Sequence, residues 1–201
     1  MRDIEKELGS GLPADASRAL AERFEARAAE EGLLDVAYAL VDSPVGPLMV
    51  ASTKRGLVEL SFDGDTQLDD LLGRLASRLS PRVLEAPARL DSVRRELDEY
   101  FEGRRLEFDL PLDWSLTHGF TQRVLRATAK VPYGQVSSYR QMATKAGNER
   151  AVRAAGNALG ANPIPIVVPC HRILRTGGAL GGYGGGPERK EFLLKLEGAL
   201  E

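Results

Sequence analysis

The chain holds one cysteine and two histidines among its 201 residues, one tryptophan, and only 6% aromatic residues in all. A single cysteine excludes an internal disulfide, and with it the stapled architecture of small secreted domains; a reducing cytosol is the compartment it suits. One Cys with His118 and His171 cannot build a thiolate-rich zinc site, and the two histidines lack helical ligand spacing. No metal and no cofactor is expected. No apolar run approaches the roughly 20 residues of a spanning helix. The stretch from Met1 to Gly11 mixes charges of both signs and has no apolar core of a secretory signal. The expectation is therefore a cytoplasmic protein with no membrane partner. Internal repeats are absent too, and the one biased tract runs from Gly177 to Pro187.

What is present is ordinary for one or two globular domains: 43% hydrophobic and 28% charged residues, with a net charge of -2. The charge is unevenly spread. Residues 1–116 carry 15 Lys and Arg against 24 Asp and Glu, whereas residues 117–201 carry 12 against 5. A basic second half sets up a field for a polyanion, or two oppositely charged faces that attract one another; counts alone do not choose.

Three regions follow from the patterning. Residues 1–34 read as a polar helical extension, with a helix over 14–31 carrying Leu20, Phe24 and Ala28 on one side and closed by Gly32. Residues 35–111 read as a small α+β unit. Val36–Val41, Leu48–Ala51 and Leu57–Phe62 are strands separated by turn residues, their hairpins predict an antiparallel sheet, and helices over Gln67–Leu79 and Ser92–Phe101 cover one face. Phe108–Trp114 is a linker broken at Pro111. Residues 112–201 read as mostly helical, beginning with Phe120–Lys130. Ser137 or Ser138 caps a second helix through Ala146, Gly147 stops it, and Asn148 caps a third over Glu149–Leu159. Two short helices across a Gly-containing turn form a helix-turn-helix candidate, a motif shared by nucleic-acid binders and by plain core packing.

The chemistry concentrates in one stretch. From Asn162 to Leu174 the chain reads Asn-Pro-Ile-Pro-Ile-Val-Val-Pro-Cys-His-Arg-Ile-Leu, a path stiffened by three prolines that delivers Cys170, His171 and Arg172 together. A thiol beside a His and an Arg has a route to the nucleophilic thiolate, although a lone Cys is also commonly a buried and inert one.

The run Pro169-Cys170-His171-Arg172 resembles the active-site signature of the O6-alkylguanine-DNA alkyltransferases, also called methylated-DNA–protein-cysteine methyltransferases. The likeness spans about the last third of the chain. It takes in the Pro-Tyr-Gly turn at 132–134, Ser137-Ser138-Tyr139, Ala146-Gly147-Asn148, Arg153-Ala154-Ala155-Gly156, Asn162-Pro163, Gly181-Gly182-Tyr183 and Leu196-Glu197-Gly198. The resemblance implies a ribonuclease-H-like first domain, followed by a helical domain that binds DNA and transfers the alkyl group.

It further implies a catalytic set of Cys170, His171, Glu197, Asn162 and Tyr139. Cys170 is the alkyl acceptor, His171 takes its proton through a water, Glu197 orients His171, and the Tyr139 hydroxyl donates to N3 of the purine. Val168, Pro165, Tyr183, Gly184 and Gly185 are implied as the substrate pocket, with the backbone near Tyr183 and Gly184 facing O6. An alkylated guanine inside the duplex is out of reach of a thiolate, so the nucleotide has to be turned out of the stack. Arg153 matches the finger that fills the gap. Tyr139, Arg140, Ala151, Ala154 and Gly156 are implied as further DNA contacts, and the small residues let the third helix approach the minor groove, where base identity is read poorly. Lys145 and Arg150 would meet phosphates.

The implied partner is double-stranded DNA carrying O6-alkylguanine, with O4-alkylthymine as a further substrate. The protein is expected to act as a monomer in solution, with cooperative assembly on DNA left open. An S-alkyl cysteine has no acyl carbon for water to attack, so each molecule should react once. The glycine-rich tract leaves the tolerated adduct size open, and residues 1–34 lack the cysteines of a phosphotriester-sensing domain. An alternative from another class is a lesion-binding sensor, but such relatives resemble Pro-Trp-His-Arg at the active motif. A cysteine hydrolase fares worse, since His171 adjoins Cys170 in the chain. The glycine tract also lacks the last glycine of a dinucleotide fingerprint.

Overall fold

Three strands rich in Val, Leu and Ala build the first sheet. In the computed structural model, which describes Arg23, Arg27, residues 31–62 and residues 68–200, β1 (Val36–Val41), β2 (Leu48–Thr53) and β3 (Gly56–Phe62) form an antiparallel meander. The helix expected over 14–31 lies almost entirely outside the described residues. Met49, Ala51 and Val58 face one side of the sheet. There they pack under Leu71 and Leu75 of α1 (Leu68–Arg78). The opposite face, with Leu48, Val50, Leu60 and Phe62, belongs to a larger core that continues into the helical half.

The sheet has an edge strand that the patterning does not predict. β4 (Val83–Glu85) pairs with β1 in parallel, so the order is β3-β2-β1-β4 and the sheet expected to be antiparallel is mixed. Three residues between Pro81 and Pro87 are too few to show a period of two. A 3-10 turn (Pro87–Leu90) leads into α2 (Asp91–Phe101), which buries Val93, Leu97 and Tyr100 against the sheet side of the larger core. The segment read as a linker is not free either. Leu57 donates to Pro111 O at 2.8 Å and accepts from Asp113 N at 2.8 Å, which adds Leu112 as a bridge beside β3.

The second half packs α3 (Gly119–Thr128) against α4 (Tyr139–Lys145) and α5 (Val152–Gly160). Ser138 caps α4 in a capping box: its hydroxyl accepts from Gln141 N while the Gln141 side chain accepts from Ser138 N. Asn148 does not cap α5. Its Oδ1 accepts from Arg150 N and its carbonyl from Ala151 N, so residues 148–151 form a turn and the helix starts at Val152 rather than Glu149. A second two-stranded pairing, β5 (Ser137–Ser138) with β6 (Ile173–Leu174), is parallel and sets Ser137 opposite Ile173. It binds the start of α4 to the chain just after the cysteine. The last helix, α6 (Pro187–Leu196), closes the core with Leu193 and Leu194.

Candidate active site

The path to Cys170 is held at both ends by one side chain. Asn162 Oδ1 accepts from Ile164 N at 3.1 Å, and its Nδ2 donates to Val168 O at 2.8 Å and to Cys170 Sγ at 3.1 Å. Between those anchors Ile166 has φ 72°, a conformation that a β-branched residue adopts only when its surroundings enforce it. The loop is fastened to the first domain by Leu60 N, which donates to Pro163 O at 2.7 Å. A short 3-10 turn, Cys170–Arg172, then presents three consecutive buried side chains.

Cys170 keeps 8% of its surface and lines a cavity of about 370 Å³ between the two halves. Pro165, Tyr183, Gly184 and Gly185 line it as well, and the first domain supplies Leu60, Ser61 and Phe62 to the wall. Val168 does not line it; its side chain is wholly buried and its carbonyl serves Asn162. Two glycines permit close approaches that a side chain would block. A methyl on Gly185 would stand 2.5 Å from the Phe62 ring, and one on Gly181, where φ is +69°, would stand 2.8 Å from the Tyr139 hydroxyl. Phe62 and Tyr183 meet edge to face at 6.0 Å.

Glu197, just past the end of α6, is the hub of the buried polar network. Its Oε1 accepts from His171 Nε2 at 2.9 Å, from Arg172 Nη2 at 2.9 Å and from Tyr100 Oη at 2.7 Å. Its Oε2 accepts from Arg172 Nε at 2.8 Å and from Gly134 N at 3.3 Å. Arg172 also donates to Val131 O at 2.5 Å. Burial pushes the Glu197 carboxyl up, but the hydrogen bonds from His171, Arg172 and Tyr100 outweigh it and hold the group down to about 2. It is an ionised acceptor, so Nε2 of His171 carries the proton. Burial lowers the His171 pKa and outweighs the pull of Glu197, which keeps the ring neutral. Nδ1 is therefore a bare acceptor, and it has no protein hydrogen-bond partner among the described residues.

The thiol itself is pushed up by burial, while the Asn162 N–H and the Lys190 ammonium favour the thiolate. Cys170 thus needs a base rather than resting ionised on the strength of its neighbours. Lys190 is wholly buried, donates to Ile173 O at 2.7 Å and to Leu180 O, and is lowered to about 8 by burial. Tyr139, the first residue of α4, is half-buried with its ring beside Gly156 and its hydroxyl beside Gly181. Arg153 and Ala154 are exposed on α5, flanked by half-buried Ala151 and Gly156, and Arg140, Lys145 and Arg150 are exposed around them. Arg140 lies 3.5 Å from Glu149, which offsets its charge.

The structure therefore places two hydrogen-bonded pairs side by side, Asn162 with Cys170 and His171 with Glu197, joined through the adjacent positions 170 and 171, and sets the arginines apart on an exposed face. The clamp of Arg172 on Glu197, the two carbonyls held by Lys190, and the walls from the first domain are absent from the expected set. A charge directly after a Cys-His pair was the one sequence signal for Arg172. Nothing local signals a contact such as that of Tyr100 with Glu197, 97 residues apart.

Two family models match the chain: the "6-O-methylguanine DNA methyltransferase, ribonuclease-like domain" over residues 36–114 and the "6-O-methylguanine DNA methyltransferase, DNA binding domain" over residues 119–199. A methylated-DNA–protein-cysteine methyltransferase of Methanosarcina barkeri is 37% identical over 160 residues, 80% of this chain and 96% of that one. The crystal structure of the Mycobacterium tuberculosis O6-methylguanine methyltransferase superposes with a TM-score of 0.69 at 38% identity, covering 83% of this chain and 94% of that one. The same mycobacterial protein in complex with DNA matches with a TM-score of 0.69 over 81% of this chain and 93% of that one.

Proposed function

Because the chain belongs to the 6-O-methylguanine DNA methyltransferase family, we propose that it repairs DNA by direct reversal with Cys170 as the acceptor of an alkyl group from O6-alkylguanine. The transfer is that of a methylated-DNA–protein-cysteine S-methyltransferase, and the partner is DNA. The relatives named as transferases, and a cysteine where sensors carry tryptophan, set aside the binding-only alternative.

The observation that carries the reading is the pairing of a neutral His171, its Nδ1 bare and its Nε2 held by Glu197, with a cysteine that opens into a cavity. Residues adjacent in a chain seldom meet through their side chains, so a water passes the thiol proton from Sγ to Nδ1. Sulfur then attacks the alkyl carbon, a C–S bond forms and the C–O6 bond breaks. The guanine leaves with the proton that sulfur gave up. Asn162 donates to the developing thiolate, while the Tyr139 hydroxyl and the backbone near Tyr183 and Gly184 stabilise charge on the leaving base. The product thioether offers water no acyl centre, so each molecule acts once.

The division of labour follows residues 35–111 and 112–201, the second bearing the chemistry. The exposed edge of α5 enters the minor groove, where Ala151, Ala154 and Gly156 allow close approach and Arg153 occupies the space of the displaced nucleotide. The protein acts as a monomer, and Arg140, Lys145 and Arg150 meet phosphates. A titration of a duplex carrying O6-methylguanine tests the reading. Repair should stop when lesions removed equal protein added, and Cys170→Ser should remove none. Continued turnover, or repair by Cys170→Ser, would overturn it.

A further inference from the structure

The residues assigned to the reaction all lie beyond Val131, yet the carboxylate at the centre of their network takes a hydrogen bond from the first domain. Tyr100, on α2, is wholly buried and donates to Glu197 Oε1 at 2.7 Å. That oxygen also accepts from His171 Nε2 and from Arg172 Nη2, each at 2.9 Å. We propose that Tyr100 is a positioning residue for alkyl transfer: it sets how much of the Glu197 charge His171 receives, and so makes activation of Cys170 depend on the docking of α2. The proposal rests on the roles given above to Cys170, His171 and Glu197.

The physical basis is competition. A carboxylate oxygen offers about two lone-pair directions, and three donors converge on this one. Each donor withdraws density from the others, so removing the phenol lets Oε1 bind the imidazole N–H more strongly and makes His171 easier to protonate. Packing does not require the hydroxyl. The ring meets Phe101 at 5.3 Å and Tyr133 at 6.1 Å, both edge on, and Phe108 at 5.2 Å, a cage that phenylalanine would fill equally well. Burial and the neighbouring carboxylate push the phenol far above its ordinary value, so it donates at every working pH. The other titratable groups that face His171 and Glu197 are Cys170, Arg172, Lys190, Tyr133 and Tyr183, and the substitutions below leave them in place.

The test follows methyl transfer to the full-length protein from an O6-methylguanine duplex as a function of pH. Tyr100→Phe should raise the acid edge of the profile by about half a unit, and so slow transfer roughly threefold at a pH below that edge. A ring-fluorinated tyrosine at the same position, a stronger donor of nearly the same shape, should lower that edge. Phe108→Leu loosens the same cluster without touching Glu197; it should lower the melting temperature and leave the edge in place. The ¹⁵N shifts of His171 should move with the first two changes and not with the third. An unaltered acid edge and unaltered His171 shifts in Tyr100→Phe overturn the proposal, whatever the melting temperature does. Failure of the wild-type protein to gain a methyl on Cys170 would instead overturn the reading on which it rests.

Discussion

The cluster around Cys170 and the outer face of α5 use charge in opposite ways. Around Cys170 the charges are withdrawn from water and each is bonded: the Glu197 side chain is 0% exposed and takes five hydrogen bonds from four residues. On α5 and its surroundings the charges are exposed, and the ion pair of Arg140 with Glu149 joins two side chains that are each more than 60% exposed. The lesson is one of scale. Removing one partner of a buried pair strands the other, which costs several kcal/mol, whereas an exposed cation adds a small and salt-screened increment. Chemistry should therefore fail all at once, and DNA binding by degrees.

Glu197→Gln sharpens the contrast most. It leaves Arg172 buried without its counter-charge, so urea unfolding should show a loss of about 3–5 kcal/mol, and transfer should fall by about 100-fold or more as His171 loses its partner. A variant as stable as the wild type would break the comparison.

Acid should reach the buried side next. The Glu197 carboxyl sits at about 2 against an ordinary 4.5. A lowered acid contributes stability that is complete above its unfolded value and is lost as pH falls through the folded one. His171, lowered by burial, likewise takes up a proton more readily once unfolded, so its loss begins below its ordinary value. The urea midpoint should thus decline from about pH 6.5 downward, with the steepest added loss between 4.5 and 2. Glu197→Gln should flatten that last segment, and a midpoint independent of pH would contradict the assignment.

Gly185→Ala probes the cavity wall. Its added methyl would press on the Phe62 ring at 2.5 Å, and overpacking of this kind costs about 1–3 kcal/mol. The melting temperature should fall and reaction with a benzyl adduct should slow more than with a methyl adduct. Equal slowing would place the strain away from the substrate.

Arg153→Ala belongs to the exposed side and should have the smallest effect on the fold, within about 0.5 kcal/mol. Reaction with free O6-benzylguanine should be unchanged, repair of duplex DNA should slow, and the slope of log affinity against log salt should shrink by about one. Equal slowing on both substrates would make Arg153 a structural residue and erase the contrast.

Much of the frame was readable where local rules act alone. The three hairpin strands are short runs rich in Val, Leu and Ala set off by turn residues, and Ser138 three residues before Gln141 spells out a capping box. The errors fall where distant contacts decide. β4 exists because β1 has a free edge, and Asn148 spends its side chain on a turn instead of a helix cap. At the site, Pro-Cys-His-Arg points to a candidate nucleophile, whereas the roles of His171 and Glu197 come only from the resemblance, since a carboxylate at the end of a terminal helix is usually solvated. Its partner Tyr100 and the wall from Phe62 depend on how the two halves dock, and the clamp of Arg172 joins Glu197 across 25 residues of the second half; no local spacing encodes these contacts.

The central claim is that one sulfur receives the carbon and keeps it. After incubation with a duplex whose O6-methyl carbon is isotopically labelled, tandem mass spectrometry of the proteolysed protein should place a single labelled methyl on Cys170, still present after prolonged dialysis. Label on any other residue, or its release to solvent, would contradict the account.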